Sequence, residues 1–165
     1  MSCPYRPWGG VRGERIVSVS LPRPPQPPQL PFFVYGTLRP GEPHHATLLS
    51  GRTRREEPGR LPGAVLYDGP GYPYAVEDPG GVVTGELVTA EPEDYGELLT
   101  KLDRLEEFRP GDPLRSLYER VERHVVRDAD GTSVRAWVYL AAPTVAARLR
   151  ARGRPIEGGD WLTRS

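Results

Sequence analysis

The stretch Phe32-Phe33-Val34-Tyr35-Gly36-Thr37-Leu38-Arg39 constrains this chain more than any other. Its first four residues are aromatic or β-branched, the composition of a buried strand, and they run directly into a glycine and a hydroxyl residue. A strand that ends in this way exposes backbone N–H groups. Glycine permits a sharp turn and a close approach to a ligand, and the successive N–H groups beyond it can form a concavity for a carboxylate or an oxyanion. The same residues also suit an ordinary strand-to-loop turn, so the rest of the chain has to decide between the two.

At 165 residues the chain suits one domain with length enough to bury a core. Its 22 basic and 22 acidic residues cancel, so no net field favours nucleic acid or an anionic membrane as partner. Lys101 is the only lysine, and the arginines are scattered among acids, which reads as genome composition rather than a phosphate-binding device. The single cysteine, Cys3, excludes an internal disulfide and a cysteine-based metal cluster. No apolar run approaches the ~20 residues of a membrane span, and the amino terminus lacks a hydrophobic signal core, so a soluble, cytoplasmic protein is expected.

Residues 1–30 differ from the rest. Pro22, Pro24, Pro25, Pro27 and Pro28 favour an extended backbone without internal hydrogen bonds. Val17 to Leu21 could add an edge strand, but most of the leader is expected to be flexible, a linker or an extended start of translation rather than a ligand for a proline-binding module. The folded domain is expected over 31–162. Arg39 to Pro43 reads as a loop and His44 to Leu49 as a short helix ended by Ser50-Gly51. The side chains of adjacent His44 and His45 diverge by about 100° on a helix. With His124 the only other histidine, no zinc site is expected. Gly59 to Tyr67 reads as a strand and Asp68 to Pro73 as a turn-rich loop. Tyr74-Ala75-Val76, Asp78-Pro79-Gly80-Gly81 and Val82 to Val88 then read as strand, turn and strand. A meander of short strands points to a barrel or a strongly curled sheet.

From Pro92 to Leu105 the period changes. Tyr95, Leu98, Leu99, Leu102 and Leu105 recur at three- and four-residue intervals, with a proline suited to the first helical turn. With Leu98 at zero, the apolar residues cluster around ~40°, Glu106 falls near ~80° and Glu107 near ~180°. If the helix runs one residue further, Glu106 points inward and Glu107 outward. A carboxylate aimed at an apolar interior must be paired, hydrogen-bonded or protonated, and burial raises its pKa towards neutrality, which suits a group that takes and returns a proton. The alternative is that Glu106 snorkels from a frayed helix end, or pairs with Arg109 or Arg120.

Beyond a loop from Arg109 to Arg115 the chain alternates again. Tyr118, Arg120, Glu122 and His124 share one strand face, and Val121 and Val125 the other. Asp128-Ala129-Asp130-Gly131 marks a hairpin turn. In the partner strand, Val134, Ala136 and Val138 face one way and Trp137 and Tyr139 the other. Pro143 to Arg150 suggests a short helix, and Ile156 to Leu162 a closing segment.

The motifs Tyr35-Gly36-Thr37-Leu38-Arg39, Leu102-Asp103-Arg104-Leu105-Glu106, Tyr118-Glu119-Arg120, Ala136-Trp137-Val138-Tyr139 and Ile156 through Gly159-Asp160-Trp161 occur in an order and spacing that resembles the γ-glutamylcyclotransferase-like, or AIG2-like, family. The resemblance covers about residues 31 to 162. It implies an α+β fold, a small, mostly antiparallel β-barrel flanked by helices, with a ligand cavity at its mouth. It also implies that the N–H groups of Gly36, Thr37 and Leu38 receive the substrate's acidic group, and that Glu106 is the acid/base. Tyr35, Tyr118 and Tyr139 become candidates for lining the cavity. The family pattern often continues with glycine where this chain has Glu107, and the loop Pro110 to Leu117 resembles an insertion.

The activity implied is cyclisation of a γ-glutamyl amide to 5-oxoproline and a free amine, with no external nucleophile, metal or cofactor. The alternatives are a biosynthetic enzyme that removes a γ-glutamyl protecting group from a natural-product precursor, and a non-catalytic module that binds a small acidic ligand on the same barrel.

Overall fold

The computed structural model of the chain describes residues 29–164. Almost all of the proline-rich leader, including the edge strand suggested at Val17 to Leu21, lies outside them. Five strands, β1 (Phe32–Val34), β2 (Thr53–Tyr67), β3 (Tyr74–Ala90), β4 (Tyr118–Arg127) and β5 (Ser133–Ala141), close into a barrel in the order β1-β3-β2-β4-β5. Every ladder is antiparallel except the one that closes the barrel, where β1 runs parallel to β5 with Phe32 opposite Trp137 and Phe33 opposite Val138. A 3₁₀ turn at Pro92–Asp94 leads into helix α1 (Tyr95–Leu105), and β5 is followed by helix α2 (Pro143–Arg152). The fold is thus α+β, a mostly antiparallel barrel flanked by helices. Among the described residues no helix is long and apolar enough to cross a membrane.

Alternation along the strands sorts the apolar residues into two cores. One cluster draws Phe33, Leu61, Leu66, Leu87, Val125 and Val138 from the five strands and contains no residue of α1 or α2, so it fills the barrel. The other joins Phe32, Val34, Val88, Tyr118 and Tyr139 to Leu98 and Leu102 of α1 and Val145 and Leu149 of α2, so it lies between barrel and helices. Both strand faces near β1 and β5 are therefore buried, which is why Phe32 and Phe33, pointing opposite ways, are each 1% exposed.

Two sequence expectations change in the sheet. The segment read as strand, turn and strand is the single strand β3, because both halves pair with β2 rather than with each other. The register jumps from Pro62 opposite Val82 to Ala64 opposite Glu77, so Asp78 to Gly81 bulge outward opposite Gly63 alone. On β2 the odd three-residue step from Leu61 to Ala64, through Gly63 at φ 81°, switches parity, which is how Leu61 and then Ala64 and Leu66 all face the barrel interior. The strand expected from Gly59 begins instead at Thr53. Its charged start Arg54-Arg55-Glu56-Glu57 hides it from an apolar pattern, yet it pairs with Leu87 to Ala90.

Helix α1 ends at Leu105, one residue short of the extension assumed for Glu106. Its terminus is a Schellman motif: the N–H of Phe108 donates to the Asp103 carbonyl at 2.9 Å and the N–H of Glu107 to the Arg104 carbonyl at 3.1 Å. Glu106 is the cap residue, and its near-helical φ of −82° keeps it close to the direction the helical wheel assigns. The price of the motif falls on Glu107, the only non-glycine residue among those described with positive φ, at 48°. An L residue there is strained by roughly 1 kcal/mol. Glu107→Gly is therefore expected to raise the free energy of unfolding by about 0.5–1 kcal/mol in urea titrations. A loss of stability would remove this account of the helix end.

Candidate active site

The loop after β1 is fixed from two sides. The N–H of Arg39 donates to the Gly36 carbonyl at 3.0 Å, closing a tight turn. The Arg39 guanidinium, 6% exposed, binds both carboxylate oxygens of Glu86 at 2.7 and 2.9 Å and Asp160 Oδ1 at 2.6 Å. Asp160 in turn accepts the N–H of Leu162, tying in the closing segment. Gly36 has no room for a side chain: a Cβ would stand 2.8 Å from Pro73 Cγ and Cδ. Among the described residues, no turn, loop or side-chain hydrogen bond uses the N–H groups of Gly36, Thr37 or Leu38. Those donors remain free beside a pocket that Tyr35, Gly36, Thr37, Leu38, Glu106 and the tyrosines Tyr118 and Tyr139 line together.

The pocket opens past Glu106 into a wider cleft of about 400 Å³, walled by Thr37, His44, Tyr72, Arg104, Leu105, Glu107, Leu117 and Tyr118. Glu107, exposed, sits in this outer cleft rather than in the pocket. His44 Nδ1 lies 2.9 Å from Thr37 Oγ1, while His45 turns away to Glu56, so the adjacent histidines diverge as expected. Leu117 is placed by the loop before it. Buried Ser116 bonds the Arg109 N–H at 2.9 Å, and the N–H of Leu117 donates to the Glu107 carbonyl at 3.2 Å.

The Glu106 carboxyl has no hydrogen-bond or ion-pair partner among the described residues, while its backbone N–H donates to the Leu102 carbonyl at 2.9 Å. Pairing with Arg109 or Arg120, the alternative open from sequence, is not what the structure contains. Arg120 lies 3.1 Å from Asp103 and stacks 4.7 Å above the ring of Trp137. Its Nε–H does not aim at the Asp103 oxygen, so that contact is Coulombic rather than hydrogen-bonded. Burial without a compensating donor pushes the Glu106 carboxyl up to about 7.

Three tyrosines surround this carboxyl, and none donates to it. Tyr35 gives its hydroxyl proton to the Tyr139 carbonyl, Tyr118 to the Pro73 carbonyl at 2.7 Å, and Tyr139 to Asp103 Oδ1 at 2.6 Å. Carbonyls cannot donate, so the first two directions are forced; the third is a phenol held protonated by burial donating to a carboxyl oxygen that Arg120 faces. Burial raises the pKa of all three tyrosines, and the negative charge of Glu106 adds to it in each. The hydroxyls therefore stay protonated, with every proton turned away from Glu106. A donor aimed at the carboxylate would lower its pKa. The absence of one keeps it basic enough to gain and lose a proton near neutrality.

Several lining residues carry little sequence signal. Tyr72 and Pro73 lie in a segment legible only as a turn; Asp103, which is outside the lining and bonds Tyr139, stands in the sequence only as part of the Leu102 to Glu106 motif.

The barrel thus brings a loop of free backbone donors and an unpaired glutamate to the lining of one pocket. A family model described as Gamma-glutamyl cyclotransferase, AIG2-like, matches residues 32–163, and the chain belongs to that family. It is 37% identical over 116 residues to the γ-L-glutamyl-butirosin B γ-glutamyl cyclotransferase of Niallia circulans, which covers 66% of this chain; the chain spans 65% of that relative's length. Among solved structures, an AIG2-like protein of Mus musculus aligns with a TM-score of 0.52 at 26% identity, over 68% of this chain and 77% of its own. An uncharacterised protein of Pyrococcus horikoshii aligns with a TM-score of 0.53 at 23% identity over 80% and 89% of the two chains, a likeness of fold alone.

The raised Glu106 pKa has a consequence for stability. A carboxyl that holds its proton more tightly when folded makes the fold less stable as pH rises from its ordinary value of 4.5 to about 7. Below that window the penalty is absent, and above it the penalty is complete. Glu106→Gln, which cannot ionise, should melt roughly 5 °C or more above the parent protein at pH 8 and within a degree or so of it at pH 4. An equal difference at both pH values would refute the desolvated carboxylate.

Proposed function

We propose that the protein cyclises a γ-glutamyl amide to 5-oxoproline and a free amine, with Glu106 as its single acid/base. The observation that carries this reading is the unpaired, half-buried Glu106 carboxyl lining the same small pocket as unused backbone donors. In a γ-glutamyl amide the α-amine reaches its own γ-carbonyl and closes a five-membered ring, so the substrate supplies its own nucleophile and needs no cofactor.

The N–H groups of Gly36, Thr37 and Leu38 hold the acidic end of the glutamyl moiety and fold the chain for attack. The Glu106 carboxylate takes a proton from the α-ammonium. The freed amine forms a new C–N bond to the γ-carbonyl, giving a tetrahedral oxyanion. Glu106 gives that proton to the leaving nitrogen as its bond to the carbon breaks, then takes the second proton that the ring nitrogen must shed and passes it to the departing amine, so both protons lost by the α-ammonium end on the free amine. Tyr35, Tyr118 and Tyr139 line the cavity and exclude water. The setting read from the sequence is cytoplasmic.

A biosynthetic role, the removal of a γ-glutamyl protecting group from a larger amine, is favoured by two observations. The cleft of about 400 Å³ beyond Glu106 exceeds what the glutamyl part requires. The Niallia circulans relative is named for γ-L-glutamyl-butirosin B. A module that merely binds small acids gains nothing from an unpaired carboxylate in its pocket.

Incubation with a panel of γ-glutamyl amides, from γ-glutamyl amino acids to γ-glutamylated amino sugars, should yield 5-oxoproline by mass spectrometry from at least one member. Its kcat/KM should rise with pH through about 7 as Glu106 ionises. Glu106→Gln should keep substrate binding and lose at least ~100-fold in turnover. Near-normal turnover in that variant would eliminate Glu106 as the acid/base, and no 5-oxoproline across the panel would favour the binding module.

A further inference from the structure

The three tyrosines have one property the reaction above does not use. With each hydroxyl proton committed to an internal acceptor, what the oxygens can still offer is lone pairs. Tyr35 retains limited capacity, since the Ala75 N–H approaches its oxygen at 3.4 Å. The pocket is thus lined both by acceptor oxygens near a carboxylate and by the loop of free N–H donors. Such polarity matches a zwitterion in one orientation only: ammonium to the tyrosines, carboxylate to the loop.

The commitment is weakest by nature at Tyr139. Tyr35 and Tyr118 bond to backbone carbonyls fixed by the barrel, whereas Tyr139 relies on one side chain, Asp103, on the last turn of α1. Asp103 is held there by Arg120, itself fixed between the rings of Trp137 and Phe108 at 4.7 and 5.8 Å. Trp137 donates to Tyr95 at 3.0 Å, and Tyr95 to the Leu30 carbonyl at 3.0 Å. This chain of contacts ends at the Tyr139 hydroxyl and includes no direct contact with Glu106.

We propose that Asp103 is a positioning residue for the substrate's α-ammonium group: by taking the Tyr139 proton it turns the Tyr139 oxygen into an acceptor beside Glu106. The inference rests on the γ-glutamyl reading of the site. Without Asp103 the Tyr139 hydroxyl is free to rotate its proton into the pocket, where it repels an ammonium and donates to Glu106. Both effects weaken amine recognition without touching the donor loop.

The test compares two ligands that differ only in the α-ammonium, γ-glutamyl methylamide and glutaric acid monomethylamide. Binding is measured by ligand-observed NMR, and any 5-oxoproline formed from the first is read in the same spectra. The parent protein should prefer the amine-bearing ligand by at least ~10-fold, the scale of a charge-assisted hydrogen bond. Tyr139→Phe and Asp103→Leu should lose most of that preference while binding the des-amino ligand as before. Asp103→Asn should keep it, because the amide oxygen still accepts the Tyr139 proton. A purely structural role would weaken both ligands together. If Asp103→Leu does not fold, Tyr139→Phe and Asp103→Asn decide between them: a full preference in Tyr139→Phe, or its loss in Asp103→Asn, overturns the proposal. Equal binding of the two ligands by the parent protein overturns it while leaving the γ-glutamyl reading intact. Binding of neither removes both.

Discussion

The pairing of β1 on both of its edges is the constraint on which the rest of the structure depends. The strand has only three residues, yet it bonds antiparallel to β3 and parallel to β5 and so converts an open meander into a closed barrel. Closure removes sheet edges that would otherwise present unpaired backbone groups. It also decides where the loop after β1 emerges. Val34 is opposite Glu86 in the ladder, and the Glu86 carboxylate binds Arg39 five residues further on. The register of the barrel and the clamp on the loop therefore share one residue. Arg39 and its two carboxylates are largely withdrawn from water, where a bidentate guanidinium contact is stronger and more directional than an exposed ion pair.

The far wall of the pocket is set by a different device. The Schellman end of α1 stops the helix at Leu105 and turns the chain sharply at Glu107, so the cap residue Glu106 faces the barrel mouth instead of continuing along a helix surface. The barrel supplies the carbonyls of Pro73 and Tyr139 that draw the protons of Tyr118 and Tyr35 away from that carboxyl, and α1 supplies Asp103 for Tyr139. The basicity of Glu106 is thus a property of the fold. It depends on where three hydroxyl protons go, and two of the three destinations are backbone atoms that no substitution can remove.

What the sequence made legible follows from period and what it concealed follows from tertiary context. The run from Tyr95 to Leu105 has a clean helical period, so α1 and the inward direction of Glu106 could be read without coordinates. The alternation in Tyr118 to Val126 and Ser133 to Leu140 likewise placed Val125 and Val138 on one face and Tyr118 and Tyr139 on the other. The start of β2 at Thr53 was hidden because Arg54 to Glu57 show no apolar pattern, and their strand form comes from backbone pairing with β3. The merging of two strands into β3 was hidden for a related reason. Asp78-Pro79-Gly80-Gly81 has the composition of a hairpin turn, and only the common partner β2 shows it to be a bulge. Tyr72 and Pro73 approach the site because Gly36 lets the loop and Pro73 meet, a contact between segments far apart in sequence.

Three local penalties lie close together. An unpaired carboxyl with its pKa near 7, a non-glycine residue in the left-handed region, and a glycine pressed against a proline ring all lie within the walls of the same pocket and cleft. Each works against the fold, and each is tolerated because the surroundings over-determine it: two apolar cores, a closed ladder and a buried arginine clamp. A chain selected for stability alone would have placed a glycine at 107 and a neutral side chain at 106. That both positions carry glutamates, one facing the inner pocket and one the outer cleft, locates the part of the protein whose residues answer to a requirement other than folding.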